Sequence, residues 1–452
     1  MDTIVALATP RGTSAIAVVR CSGSLSPKIF SDVFRVEHTV PNQLYHFRYF
    51  SVSGEIVDDV MSVFFEKVHS YTGENSFEIY CHGNMLIVDE ILADLCARGC
   101  RIAEGGEYTK RAFLNGRIDL SQAEAVADII HAKNMRAVAI AQKQLSGSLG
   151  EKINEISKKL LEVLSKIEFV IDFSDDELSS NNGESFEIVN DLDCIIADME
   201  SLISSNKFHK VVESGLDMVI IGAPNAGKSS MLNFLLGEDR AIVSKFAGTT
   251  RDIISENVKI GGEYVRIYDT AGLRDGELCE VEKIGIDKAL AKAEQADLFL
   301  VMIDSNSDLL PEFSTKILKK IHKDNAIIVV NKVDLAPKCD AKTFLPDVEH
   351  VFVSIENGEN LDLLKEKIGN MISKSYAACD GLDIMVNRRH VDILRRAFDF
   401  LRSAKNAFIK NISAEFIASD IRQALDILGD ITGKYDNEAV LDRVFANFCV
   451  GK

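Results

Sequence analysis

Hydrophobic positions recur at two periods along the chain and divide it into four stretches. Over residues 213–375, short apolar runs alternate with helical stripes. Strands are expected at 217–221, 264–268, 297–303, 326–330 and 350–353, each a brief apolar run bounded by turn signals. That alternation predicts a doubly wound, mostly parallel α/β sheet. Residues 1–116 mix short strands, Ile16-Ala-Val-Val-Arg20 and Val60-Met-Ser-Val-Phe-Phe65, with a helical stripe over Asn84–Ala97 that carries Leu86, Val88, Ile91, Leu92 and Leu95. This reads as an α+β domain. Residues 117–212 are almost wholly helical from Leu120 to Phe173, and Gly147 and Gly150 are expected to divide them into two long helices. An acidic, Ser/Asn-rich loop from Asp172 to Gly183 precedes a helix over about Phe186–Ser204. In residues 376–452 helix returns from about residue 383, with Val391, Leu394, Phe398 and Leu401 as its apolar stripe. Because helix recurs on both sides of the sheet, the α/β domain is expected to be inserted into a discontinuous helical domain whose halves pack together. The predicted fold is therefore multidomain.

At 452 residues the chain suits two to four domains. No apolar run reaches the ~18–20 residues of a membrane span, and MDTIVALATPRG has no basic region leading into an apolar core. Nine scattered cysteines without a C-x-x-C pair suggest neither a zinc site nor a disulfide framework. A cytoplasmic protein with no membrane partner is expected. The formal net charge of −18 argues against a broad nucleic-acid platform and leaves room for a local basic patch. Arg388, Arg395 and Arg402 recur every seventh residue beside the carboxyl-terminal stripe. They form either a solvated face or a contact with a nucleic-acid backbone.

The chemistry centres on Leu216–Leu236. Within it, Gly222-Ala-Pro-Asn-Ala-Gly-Lys-Ser229 fits the phosphate-loop pattern G-x-x-x-x-G-K-[ST]. Its glycines let backbone N–H groups turn toward phosphate oxygens, and the following helix adds its positive end. Lys228 supplies a point charge, and the Ser229 hydroxyl completes a Mg²⁺ shell. Asp269-Thr-Ala-Gly272 ends one expected strand, where an aspartate reaches Mg²⁺ through water and a glycine N–H senses the γ-phosphate. Asn331-Lys-Val-Asp334 ends another. A carboxylate there accepts hydrogen bonds from the ring N–H and amino group of guanine. Adenine offers neither in that geometry, so such a site discriminates by ~10⁴ or more. Between them, Gly248-Thr-Thr-Arg-Asp252 supplies hydroxyls to cap the γ-phosphate. Together these predict a Ras-like P-loop GTPase domain. Gly272 is followed by Leu273, where many GTPases place a water-orienting Gln. Either hydrolysis is slow and the protein is a passive switch, or another group supplies catalysis. Tyr71-Thr-Gly-Glu74 and Gly105-Gly-Glu-Tyr108 are polar and turn-like, and form either a pocket rim or plain surface loops.

From end to end the chain resembles the tRNA-modification GTPases known as MnmE or TrmE. The resemblance is carried by Asp2-Thr-Ile-Val-Ala6, Ala8-Thr-Pro10, Ser70-Tyr-Thr-Gly-Glu74, Arg111-Ala-Phe-Leu-Asn115 and Asp119-Leu120. Gly248-Thr-Thr-Arg-Asp252, Asp269-Thr-Ala-Gly-Leu-Arg274, Ile431-Thr-Gly433 and the ending Phe448-Cys-Val-Gly-Lys452 carry the remainder. It implies a potassium-stimulated GTPase that works with a flavoprotein partner, MnmG (GidA), on certain tRNAs. Together they install a carboxymethylaminomethyl-type group at C5 of the wobble uridine. It also implies an amino-terminal domain that forms a homodimer and binds a tetrahydrofolate derivative, in 5-formyl or methylene form, as the one-carbon source.

Carried over residue by residue, the resemblance places nucleotide contacts on Asn225, Ala226, Gly227, Lys228, Ser229 and Ser230 of the phosphate loop. It places others on Ser244, Lys245, Phe246, Ala247, Gly248, Thr249 and Thr250, on Asp269, Thr270, Ala271 and Gly272, and on Asn331, Lys332, Asp334 and Ser354. Ser229 and Thr250 resemble Mg²⁺ ligands. Asn225 and Thr249, with the carbonyls of Ser244 and Phe246, resemble K⁺ ligands. Glu282 resembles the glutamate that positions water, and Arg20, Glu78, Arg117 and Lys452 resemble folate contacts. Cys449 resembles the cysteine of the carboxyl-terminal motif. As a residue alone it is either a buried small hydrophobe, as free cysteines usually are, or a reactive group. Four positions depart from the family pattern. Arg117 stands for lysine, Gly105-Gly106 for Pro-Gly, Cys81-His-Gly-Asn84 for a motif ending in Gly-Gly, and Ser354-Ile-Glu356 for Ser-Ala-x. A GTP-dependent switch in ribosome maturation is the other reading. The chain has one phosphate loop and no KH-type G-x-x-G pattern after it.

Overall fold

The computed structural model describes residues 2–37, 39–132, 134–173, 182–206, 215–237, 255–269, 296–307, 313, 315–336, 340–377, 384–410, 412–434, 441, 444–445, 448 and 451. They fall into two compact units. One comprises Met1–Ile130, Ile140–Ser204 and Val386–Lys452, and the other His131–Ala139 with Ser205–Met385.

The first unit begins with β1 (Ile4–Leu7), β2 (Ile16–Ser22), α1 (Ser26–Phe34), β3 (Leu44–Phe50), β4 (Ile56–Phe65), β5 (Ser76–His82), α2 (Met85–Ala97), β6 (Arg101–Ile102) and α3 (Glu107–Leu114). The strands form one sheet in the order β3-β4-β5-β2-β1-β6, antiparallel except for the short β1–β6 pair. One face packs on α1 and α2 through Val19, Phe30, Phe77, Ile79 and Val88. Side chains of β3 alternate between exposed and half-buried along most of its length, the pattern of a sheet with one wet face. Asn84 caps α2 by accepting the Leu86 N–H. Arg111 on α3 is 3% exposed. It donates to the Asp2 carbonyl and carboxylate and pairs with Glu74 and Glu107, so the first residues are pinned to α3.

The helical part comprises α4 (Leu120–His131), α5 (Met135–Leu145), α6 (Ser148–Phe173) and α7 (Asn182–Ser205). The stretch expected as two helices is therefore three. The breaks fall at 132–134 and 146–147, and Gly150 lies within the first turn of α6. Its lack of a side chain serves packing, because a Cβ there would stand 2.7 Å from the Asp119 carboxylate.

The second unit holds β7 (Leu216–Gly222), α8 (Lys228–Gly237), β8 (Ser255–Ile260), β9 (Glu263–Asp269), β10 (Leu298–Asp304), α9 (Thr315–Leu318), β11 (Ala326–Asn331), β12 (Glu349–Phe352) and α10 (Leu361–Ala377). The sheet order is β12-β11-β10-β7-β9-β8, parallel except for the β8–β9 hairpin. β7, β10 and β11 are buried almost throughout, which is why they read as unbroken apolar runs. Alternate residues enter opposite cores, Met218 and Ile220 on one side and Val219 and Ile221 on the other. The strand missed by periodicity is β8, whose polar residues hide it. Its signal is the turn Gly261-Gly262, both at positive φ, which joins it to β9.

The chain then returns to the first unit with α11 (Arg388–Ile409) and α12 (Ala414–Thr432). These pack on each other and α12 packs on α6, so the α/β domain is inserted into a discontinuous helical one. Val391, Leu394 and Leu401 are buried as expected, whereas Phe398 is only half-buried. At the base of α11, Glu124 of α4 receives hydrogen bonds from Arg389 and from the Asn387 amide, and pairs with His390. Burial pushes the Glu124 carboxyl up, but the hydrogen bonds and charge of His390 and Arg389 outweigh it and hold the group down at about 2.

Candidate functional site

The phosphate loop runs from the end of β7 into α8. Gly222 lets β7 close on β10, since a Cβ would meet the Met302 carbonyl at 2.5 Å. Asn225 is exposed in the left-handed region at φ 62°, and Gly227 follows at φ 98°. Lys228 Nζ donates to the carbonyls of Gly222 (3.0 Å) and Ala223 (2.9 Å), which holds the ammonium over the loop. Ser229 and Ser230 are exposed on the first turn of α8.

The guanine loop follows β11, and the two loops are strapped together by one side chain. Asn331 is 4% exposed. Its amide donates to the Ala226 carbonyl at 3.0 Å and its oxygen accepts the Ile355 N–H at 3.2 Å. A Cβ on Gly227 would lie 2.3 Å from Asn331 Nδ2, so the strap needs that glycine. Asn331 is thus an organiser of the site, linking the phosphate loop to the segment after β12. Lys332, at φ 64°, reaches Asp304 at 2.6 Å, and Ser305 Oγ donates to the Lys332 carbonyl. Asp304 and Ser305 were missed in the sequence; a polar pair at the end of an apolar strand was the available signal. Asp334 is exposed and has no partner among the described residues, leaving a carboxylate free to accept two N–H groups. Ser354 is buried, and its hydroxyl accepts the Asn357 N–H. Mg²⁺ takes oxygen ligands, and the exposed Ser229 hydroxyl suits that requirement. Ser244, Lys245, Phe246, Ala247, Gly248, Thr249, Thr250, Thr270, Ala271, Gly272 and Glu282 lie outside the described residues, as does the side chain of Asp269.

A second site lies in the amino-terminal domain, where a cavity of about 270 Å³ is lined by Arg20, Phe65, His69, Ser70, Tyr71, Thr72, Ser76, Glu78 and Arg117. β2 and β5 place Arg20 opposite Glu78, and the two pair at 2.7 Å. Tyr80 donates to the other Glu78 oxygen at 2.7 Å. Burial and that hydrogen bond raise the Tyr80 hydroxyl to about 12. The Arg20 guanidinium stands over the rings of Tyr71 and Tyr108. Arg117 makes no ion pair or side-chain hydrogen bond among the described residues, so the cavity has one uncommitted cation. Tyr71-Thr72 forms part of this rim. Gly105-Gly-Glu-Tyr108 does not, because its last two residues begin α3 and Tyr108 is buried. Tyr80 and His69 were missed, and only their spacing from Glu78 and Tyr71 could have flagged them.

The carboxyl-terminal segment reaches this domain. Arg20 Nη1 donates to the Gly451 carbonyl, and a Cβ on Gly451 would meet the Leu7 carbonyl at 2.5 Å. A Cβ on Gly105 would stand 2.8 Å from the Phe448 carbonyl. The glycine that departs from the family's Pro-Gly therefore faces the tail. Cys449 and Lys452 lie outside the described residues.

Among the described residues no helix is long and apolar enough to cross a membrane, and no cluster of His, Cys, Asp and Glu could hold a metal. Residues 3–117 match a family described as the GTP-binding protein TrmE N-terminus, and residues 120–449 one described as the MnmE helical domain. The chain is 42% identical over 455 residues to the tRNA modification GTPase MnmE of Opitutus terrae, covering 100% of this chain and 99% of that protein. It is 39% identical over 459 residues to the protein of that name in Natranaerobius thermophilus, covering 100% and 99%. With a phosphate loop strapped to a guanine loop in an inserted domain, and with similarity of this extent, the chain belongs to the MnmE (TrmE) family of tRNA modification GTPases.

Proposed function

We propose that this protein hydrolyses GTP and, with a flavoprotein partner of the MnmG kind, adds a carboxymethylaminomethyl-type group to C5 of the wobble uridine of certain tRNAs. The observation that carries the reading is one chain with two chemically distinct sites, the strapped nucleotide loops and the Arg20–Glu78–Arg117 cavity. Asp334 selects guanine through two accepted hydrogen bonds, and Lys228 neutralises phosphate charge. Ser229 and Thr250 hold Mg²⁺. Asn225, Thr249 and the carbonyls of Ser244 and Phe246 hold K⁺, which offsets negative charge as an arginine does in other GTPases. Glu282 positions water, the role Leu273 cannot fill.

In the cavity, Glu78 and the Arg20 guanidinium bind the polar edge of a tetrahydrofolate derivative. Phe65 and Tyr71 cover its ring, and Arg117 and Lys452 take its carboxylates. The bound folate supplies the one-carbon unit. Cys449 serves the modification chemistry. The amino-terminal domain forms the homodimer, and the protein works in the cytoplasm. Mass spectrometry of wobble uridines in a deletion strain is the test. Loss of the C5 modification, restored by the intact gene, is expected. Normal uridines together with a ribosome-assembly defect would overturn the reading. Turnover measured in K⁺ and in Na⁺ at matched ionic strength tests the cation separately; K⁺ alone should stimulate, and equal rates would remove K⁺ from the mechanism.

A further inference from the structure

We propose that the exposed face of α11 is where the tRNA backbone lies, an inference that rests on the tRNA-modification reading above. α11 is 22 residues long, and so spans about 33 Å. Val391, Leu394, Ala397, Leu401 and Ala404 bury one side. The other side presents Arg388, Arg395 and Arg402, one heptad apart and nearly in line, with Arg396 beside them and Lys410 just beyond the helix end.

None of these five cations makes an ion pair among the described residues, not even with Asp392 and Asp399 on the same face. Solvated helix faces ordinarily couple such charges at i,i+3 and i,i+4. On the long helix α6, Lys152 and Lys159 pair with Glu155 at i,i+3 and i,i+4 and Lys166 pairs with Asp191 of α7, while Lys405 on the flank of α11 is tied to Asp193. Four arginines and Lys410 against Asp392 and Asp399 leave this face net positive in a chain of net charge −18. Guanidinium groups suit phosphate because their planar forks donate two hydrogen bonds at once. Toward its carboxyl end the face opens into a shallow depression lined by Arg402, Ser403, Asn406 and Lys410, with the Asp399 carboxylate at its margin. Its hydroxyl, amide and ammonium donors match phosphate oxygens and ribose 2′-hydroxyls. Charge complementarity therefore selects an RNA backbone as the occupant, bound without base readout.

The test uses the full chain and an unmodified transcript of a substrate tRNA, followed by fluorescence anisotropy over a range of salt. Arg395→Glu with Arg402→Glu should weaken binding at least tenfold and lower the slope of log affinity against log salt by about 2, one for each lost phosphate contact. Arg395→Lys with Arg402→Lys should keep the slope. Lys319→Glu with Lys323→Glu makes the same charge change on exposed lysines of the other unit and should leave affinity within twofold. Melting temperatures guard against misfolding, and the Gln pair replaces the Glu pair if the latter melts early. Unchanged affinity, an equal loss in the lysine control, or loss of the flavoprotein partner with tRNA binding kept would each overturn the proposal. Should the wild-type protein bind no tRNA, alone or with that partner, the tRNA reading itself would fall.

Discussion

The nucleotide loops and the amino-terminal cavity are built in opposite ways. The first are stretches of backbone, shaped by glycines and held by one buried amide, Asn331. The second is an assembly of side chains from β2, β5, the turn after β4 and the segment after α3, with the Gly451 carbonyl bound to one of them. A backbone cradle needs consecutive residues, so it leaves a compact signature. A cavity of side chains needs only that distant residues converge, so it leaves scattered single letters.

The sharpest break of this comparison lies at the base. Asp334→Asn should reduce GTP affinity by roughly 10³-fold or more and turn preference toward xanthosine triphosphate, whose extra carbonyl accepts the new amide. Calorimetric titration with both nucleotides reads this, and an unaltered preference would remove Asp334 from base recognition. Folate binding should not change.

Next in size is the strap. Asn331→Ala leaves the buried Ala226 carbonyl without its partner, at about 1–3 kcal/mol, and frees the half-buried Ile355 N–H. GTP affinity should fall by roughly 10–100-fold without a switch to xanthine, and nucleotide-dependent melting shifts should shrink. Affinity within twofold of wild type would show that the loops hold their shape alone.

Acid should separate the two units. The folded Glu124 carboxyl sits at about 2, below its usual value of about 4.3. Its network therefore stabilises the first unit above that usual value and is lost as pH falls from about 4.3 toward 2. The loss amounts to roughly 3 kcal/mol. Glu124→Gln should lower the melting temperature at pH 7 and flatten the acid response. An acid profile identical to wild type would deny Glu124 that part.

The smallest effect belongs to Arg117. Arg117→Ala should weaken binding of a reduced folate about tenfold, with GTP affinity kept. Equal folate affinity would leave the uncommitted cation without a ligand.

What could be read beforehand follows the same division. The parallel strands were visible because burial on both faces writes an unbroken apolar run, as in Val219–Ile221 and Ile327–Val330. β8 was not, because Ser255, Glu256, Asn257 and Lys259 are polar and only a two-glycine turn betrays it. Gly150 misled as a helix breaker because close packing against Asp119 requires the same residue type. Arg20, Glu78 and Arg117 were found by resemblance and not by pattern. Nothing in Arg20 itself says that Glu78 faces it, whereas the antiparallel register of β2 and β5 does.

The bond between Arg20 and the Gly451 carbonyl joins residues 431 positions apart. Joining them costs little at equilibrium, since loop-closure entropy grows only slowly with length. During synthesis it imposes an order of events. At about 5–20 residues per second, tens of seconds separate the appearance of β2 from that of the tail. The α/β domain, whose strapping bond spans 105 positions, lies wholly within that interval and has its residues in hand first. The amino-terminal sheet, first off the ribosome, completes its contacts last. Until then the backbone at Gly105 and Leu7, which the tail approaches closely, stays uncovered, and this early surface is open to chaperones and to misfolding.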